Sequence, residues 1–231
     1  MATVVVLVLA ALFTRLGFWQ LDRLEERQAI NISGQERISA SPVEFRGLLD
    51  QSGDDLDSVE YRRVTMRGEY DTAEEVLIRS QVELGQAGFH VITPLRLDDG
   101  SAVLVNRGWV PLSMDSPPIT AIPDEGVVDV EGWVRLSQNR PTLGPEDPPG
   151  DLAVFNRVDV ARIGDQVPYE VAPVYVVAMG EGSDELPVTV DPPDFTEQGP
   201  HLAYAIQWFG FALVGLVGLY FLLRRQVRQS T

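Results

Sequence analysis

The stretch Tyr204 to Leu223 (YAIQWFGFALVGLVGLYFLL) constrains this chain more than any other. Its twenty consecutive residues carry no charge, and Gln207 is the one strongly polar side chain among them. A helix rises about 1.5 Å per residue, so such a run reaches roughly 30 Å, the hydrocarbon thickness of a bilayer. Arg224, Arg225 and Arg228 follow at once. Basic residues gather on the cytoplasmic side of a membrane span, so the tail predicts a cytoplasmic C-terminus and puts the residues before His201 on the opposite side.

The chain also opens on an apolar run. Met1 to Phe13 is broken only by Thr3, and after Thr14-Arg15 it resumes as Leu16-Gly17-Phe18-Trp19-Gln20-Leu21. A secretory signal has an apolar core of this length but needs a basic start and a small-residue cleavage site. Both are missing, so the run reads as an uncleaved first membrane helix, roughly Ala2 to Trp19, with the indole at the interface. The missing basic flank points to a true start upstream of Met1. Arg15 lies one turn before Trp19; it either snorkels to the outer interface or pairs with a partner subunit. Phe18-Trp19-Gln20 and Gln207-Trp208-Phe209 are mirror-ordered. An antiparallel helix pair would bring the two tryptophans to one depth and let Gln20 and Gln207 hydrogen-bond, while independent anchoring of each helix by its own Trp is the other reading. Gly215 and Gly218 would permit close helix approach.

Between the two runs the chain is acidic. Residues 24 to 200 hold 33 of the 34 acidic residues and 13 of the 18 basic ones, and every basic residue is arginine. A domain so negative repels phosphate backbones, which excludes nucleic acid as a partner. The acids form either a solvated surface or a docking face for a basic partner. With no cysteine and two histidines, disulfides, a Cys nucleophile and a multi-histidine zinc site are all excluded.

Leu21 to Ile38 reads as an amphipathic helix leaving the bilayer, weakened around Asn31 to Gly34 and ended by Pro42. From Tyr61 the period shortens. Arg63 to Tyr70, Val76 to Arg79, Gly88 to Leu95, Ala102 to Trp109, Val127 to Leu136 and Val171 to Met179 read as strands, with Leu97-Asp98-Asp99-Gly100-Ser101 as a hairpin turn. Val158 to Ile163 reads as a short helix. Arg140 to Gly150, with four prolines, and the acidic Glu181 to Pro200 read as loops. The predicted architecture is two transmembrane helices (1–21 and 201–223) flanking a mainly-β (α+β) extracytoplasmic domain (22–200) built on an antiparallel sheet or barrel, with a cytoplasmic basic tail (224–231).

No G-x-S-x-G elbow, P-loop, H-E-x-x-H or dinucleotide fingerprint occurs. Carboxylate pairs such as Asp54-Asp55 and Glu146-Asp147 sit in loops, where solvation accounts for them. Arg107-Gly108-Trp109 has two readings. One is an exposed Arg/Trp patch for a partner; the other, favoured, is a strand end where Gly108 permits a bulge and Trp109 packs on the sheet. His90, on a strand, reads as a surface or packing residue.

Three blocks together carry a resemblance: Leu16 to Leu21 followed by Arg23, Gly88 to Pro111 (GFHVITPLRLDDGSAVLVNRGWVP), and His201-Leu202-Ala203-Tyr204-Ala205-Ile206-Gln207-Trp208-Phe209. In this order, over essentially the whole chain, they resemble the surfeit locus protein 1 family, assembly factors of cytochrome c oxidase. The chain departs from the family pattern in its long acidic loops and in Gln198-Gly199-Pro200. The resemblance implies a non-enzymatic assembly factor that assists maturation of the haem a centre of subunit I. It implies subunit I and other oxidase or supercomplex subunits as partners, and a two-pass protein of the bacterial plasma membrane with both termini cytoplasmic. It further implies transient binding of haem a, with His201 at the position of the ligating histidine. An interfacial His201 that only hydrogen-bonds is the alternative. Trp19, Gln20, Tyr204, Gln207 and Trp208, with Arg107 and Trp109, are the candidate groove or partner contacts, although membrane anchoring explains the tryptophans equally well. The alternative function is an accessory subunit of the mature oxidase or supercomplex without haem of its own.

Overall fold

The computed structural model describes residues 1–83, 85–121, 123, 125–138, 146–180 and 186–229. Parts of the expected loops (140–145 and 181–185) and the last two residues of the expected tail lie outside the described residues. In chain order the elements are α1 (Ala2–Ser39), β1 (Val43–Glu44), α2 (Phe45–Ser52), β2 (Arg63–Tyr70), β3 (Val76–Glu83), β4 (Gln86–Leu97), β5 (Ala102–Pro111), β6 (Val127–Leu136), β7 (Val154–Phe155), α3 (Val160–Gly164), β8 (Val171–Ala178) and α4 (His201–Gln229), with 3-10 turns at Leu56–Val59 and Thr72–Glu74. They form two compact units, Met1–Gln35 with Asp194–Thr231, and Glu36–Pro193.

Two helices are long and apolar enough to cross a membrane, Thr3–Ser39, which lies in the first unit up to Gln35, and His201–Arg228, each with only 11% of its most apolar window buried. Helices exposed on nearly every side do not suit the core of a soluble protein, and the pair is consistent with a two-pass membrane protein. The expected weakening at Asn31 to Gly34 does not occur; α1 runs unbroken to Ser39. Asn31 Nδ2 donates to the Glu197 carbonyl at 2.9 Å. A Cβ on Gly34 would overlap the Phe195 ring. Two residues that resemble helix breakers are instead the places where the returning chain docks, and tertiary fit outweighs their poor helix propensity.

The second unit is a closed barrel. Strands β2, β6, β8, β5 and β4 follow one another, and β4 returns to β2. Closure pairs Gly68 with Leu97, Glu69 with Arg96 and Tyr70 with Leu95. A side chain at Gly68 would strike the Arg96 carbonyl, so only glycine lets the last two strands approach. Most pairs are antiparallel, as expected, and the β4–β5 hairpin forms over the predicted turn. The exception among the barrel strands is β5–β8, which run parallel.

Alternation along the strands separates the two larger apolar clusters, while Leu77, Val91, Val110 and Ile119 form a smaller third. Val64, Met66, Leu95, Val103, Val105, Val130, Val134, Val174 and Val176 cluster with Phe45 of α2. Their neighbours Ile92, Leu104, Trp133, Tyr175 and Val177 point the other way, onto Phe155, Val158, Val160 and Ile163. Strand β5 is therefore buried on both faces, which explains why Ala102-Val103-Leu104-Val105 is a continuous apolar run. The short helices are held by acidic caps: Glu44 accepts from the Arg46 and Gly47 amides, and Asp159 accepts from the Arg162 amide.

Candidate functional site at the start of the last helix

His201 is the first residue of α4. The backbone turns into the helix through Gly199, at φ 69°, and the first helical bond runs from the Tyr204 amide to the Pro200 carbonyl at 3.1 Å. The left-handed φ suits glycine, and a Cβ there would lie 3.4 Å from His201 Nε2. Glycine thus permits the turn and keeps the Nε2 edge of the ring clear. On its other edge the ring meets α1: His201 Nδ1 lies 2.9 Å from Gln20 Oε1. An amide oxygen only accepts, so Nδ1 carries a proton and donates, and in the neutral ring Nε2 is then the nitrogen with the lone pair. Among the described residues Nε2 has no partner.

Below this pair the two helices interlock through aromatic rings. Phe18 meets Phe209 edge-on at 5.3 Å, and Trp208 stacks on Phe13 at 5.6 Å. A Cβ on Gly17 would come within 2.6 Å of the Phe209 ring. The mirror triplets therefore meet through their phenylalanines, but the Gln20–Gln207 pair, one of the two readings, does not form, because the antiparallel stagger sets Gln20 opposite His201 and leaves Gln207 exposed. Nor do Gly215 and Gly218 carry the close approach: a Cβ on Gly215 would sit at an ordinary 3.8 Å from Val6, and Gly218 faces open space. Glycine is needed at Gly17 instead. Trp19 is exposed and carries the Arg23 guanidinium 5.7 Å above its ring; Tyr204 is exposed as well.

Arg107 and Trp109 belong elsewhere, in the barrel, and neither offers the exposed patch weighed from the sequence. The Arg107 side chain is 8% exposed and Trp109 is 4% exposed. The bulge reading describes them: β4 pairs Val91 with Gly108 and Ile92 with Asn106, so Arg107 is the extra residue. The bulge turns Arg107 onto Glu75, itself 1% exposed, at 3.0 Å. Glu75 also accepts from Thr93 Oγ1 at 2.7 Å and the Ile119 amide at 2.8 Å, while Arg107 donates to the Ala121 carbonyl at 2.6 Å and lies over Tyr70. Burial pushes the Tyr70 hydroxyl up to about 12, the nearby Arg107 charge opposing. Glu75 escaped the sequence reading because it stands in an acidic pair with Glu74; its position just before the apolar Val76-Leu77-Ile78 was the available signal.

Beside the bulge, the Gly108 amide donates to Asn106 Oδ1 at 3.0 Å. That fixes the amide, so Asn106 Nδ2 donates to His90 Nδ1 at 3.2 Å. His90 Nε2, which then carries the proton, is buried without a partner, and Glu83 Oε1 lies 3.9 Å away. Burial lowers the His90 pKa to about 4. A packing histidine is what this arrangement makes. Among the described residues no three His, Cys, Asp or Glu side chains gather to hold a metal ion. Any group held through His201 Nε2 would take a single protein donor there and would have to bring its other donors with it.

The SURF1 family model matches residues 7–213 of this chain. An uncharacterized SURF1-like protein of Mycobacterium bovis is 29% identical over 233 residues, spanning 99% of this chain and 84% of that relative. A SURF1-like protein of Monosiga brevicollis is 27% identical, spanning 93% of this chain and 85% of the relative. Surfeit locus protein 1 of Rattus norvegicus is 27% identical, spanning 84% of this chain and 67% of the relative. The match takes in Gln20 and His201, the first turns of α4 and the whole barrel with its Glu75–Arg107 bulge, and the chain belongs to the SURF1 family.

Proposed function

We propose that this chain is a membrane assembly factor for haem-copper cytochrome c oxidase, which receives haem a as cargo during maturation of subunit I and does no chemistry of its own. Family membership supports the oxidase-assembly role. The observation that carries the haem reading is the single imidazole at the start of a membrane-length helix, with Nδ1 engaged by Gln20 and Nε2 without a hydrogen-bond partner among the described residues. A neutral imidazole there is a competent axial ligand, and haem a, with an apolar tail and polar carboxylates, suits a position where an apolar helix begins. His201 would hold the iron, and the exposed rings of Trp19 and Tyr204 offer apolar surface on the same helix pair. The barrel would act as a rigid, acidic body for contact with oxidase subunits on the non-cytoplasmic face.

The test is purification of the full chain in detergent, through a C-terminal tag, from cells that make haem a. A haem a absorbance spectrum lost in His201→Ala, with subunit I in the eluate, supports the reading. A spectrum unchanged in His201→Ala, or an eluate without subunit I, overturns it. Stoichiometric recovery with finished oxidase and no haem of its own would favour a permanent accessory subunit.

A further inference from the structure

We infer that Gln20 is a positioning residue: its amide oxygen holds the His201 ring as the Nδ1–H tautomer and so presents Nε2 as the coordinating atom. The functional part of this rests on the haem reading above. Free imidazole side chains favour the proton on Nε2, so a bare histidine here would mostly offer the wrong nitrogen to an approaching metal. The 2.9 Å bond to Gln20 reverses that preference, because an amide oxygen rewards only the ring form that donates to it. It also ties the Nδ1 edge of the ring to α1, which leaves Nε2 on the edge beside Gly199. The acceptor comes from α1 and the imidazole from α4, which makes the donor a product of the two helices packed together. Histidines that bind metals commonly have their second nitrogen fixed in this way by an acceptor, and loss of that acceptor weakens binding by about ten- to hundred-fold.

The full chain, uniformly labelled with nitrogen-15 in detergent, reports the tautomer directly, since its two histidines are separable by comparison with His201→Ala. Wild-type His201 should appear as the Nδ1–H form. Gln20→Leu and the shorter Gln20→Asn should revert toward Nε2–H, whereas Gln20→Glu, which still accepts, should keep the wild-type form. Titration with ferric protoporphyrin IX should show Kd raised about ten- to hundred-fold in the Leu and Asn variants and near wild type in the Glu variant. A wild-type ring found as Nε2–H, or Leu and Asn variants with unchanged tautomer or unchanged Kd, would overturn the inference. If wild type binds no porphyrin while the tautomer still follows residue 20, the haem reading falls and the positioning by Gln20 stands.

Discussion

Removing the Glu75 carboxylate tests the buried charge cluster at the β5 bulge. In Glu75→Ala the guanidinium of Arg107, whose side chain is 8% exposed, keeps its charge and loses its counterion. The Thr93 hydroxyl and the Ile119 amide lose their acceptor in the same stroke. Breaking a buried pair from one side costs about 3–5 kcal/mol, most of it the penalty of the stranded charge. With a urea slope of about 2 kcal/mol per M, the unfolding midpoint should fall by about 2 M. The assay is denaturation of the full chain in detergent, followed by the fluorescence of the buried Trp109 and Trp133. A second readout is local: Glu75 and Arg107 both tie down the segment ending at Ala121, so an aspartate-specific protease should cut at Asp115 in the variant before the barrel unfolds. In the double variant Glu75→Leu/Arg107→Met no charge is stranded, and its loss should fall short of the summed single losses by at least about 2 kcal/mol. Single variants that move the midpoint by less than about 0.5 M, or losses that simply add, would refute the reasoning.

The pH dependence follows from His90. Its folded pKa, lowered by burial to about 4, lies below the 6.5 of the unfolded chain, so the unfolded state binds the extra proton first. The His90 contribution should be constant above pH 7 and fall between about pH 6.5 and 4, by about 3 kcal/mol, and urea midpoints of His90→Gln should be flatter across that window. Gly68→Ala should destabilise the barrel by about 1–3 kcal/mol, since the new methyl strikes the Arg96 backbone at the closing seam; an unchanged midpoint would show that the seam can open without cost. Gly34→Val should displace Phe195 and free the segment before His201 from α1, read as faster cleavage after Glu197 by a glutamate-specific protease, with barrel stability unchanged.

The two membrane-length helices were legible because each is a local property: uninterrupted apolar length, whatever the rest of the chain does. So were most strands and the β4–β5 turn, which follow from period-two alternation and an Asp-Gly turn within a few residues of each other. Strands β1 and β7, two residues each, carry too little pattern to be seen, and α2 was hidden because its eight residues supply barely two turns of periodicity.

By itself, the sequence determined that the chain has two apolar helices around an acidic β-rich domain, and it marked His201, Gln20 and the Arg107-Gly108-Trp109 block as unusual. Only the tertiary structure decided what those residues do. Whether Arg107 faces solvent depends on one bulged residue in β5 and on an acid from another strand connection. Whether Gln20 meets Gln207 or His201 depends on the stagger of two helices some 180 residues apart in sequence. Propensity and periodicity act over a turn or a strand, while partnership between distant side chains is set by how the elements pack, and a linear pattern does not encode that register.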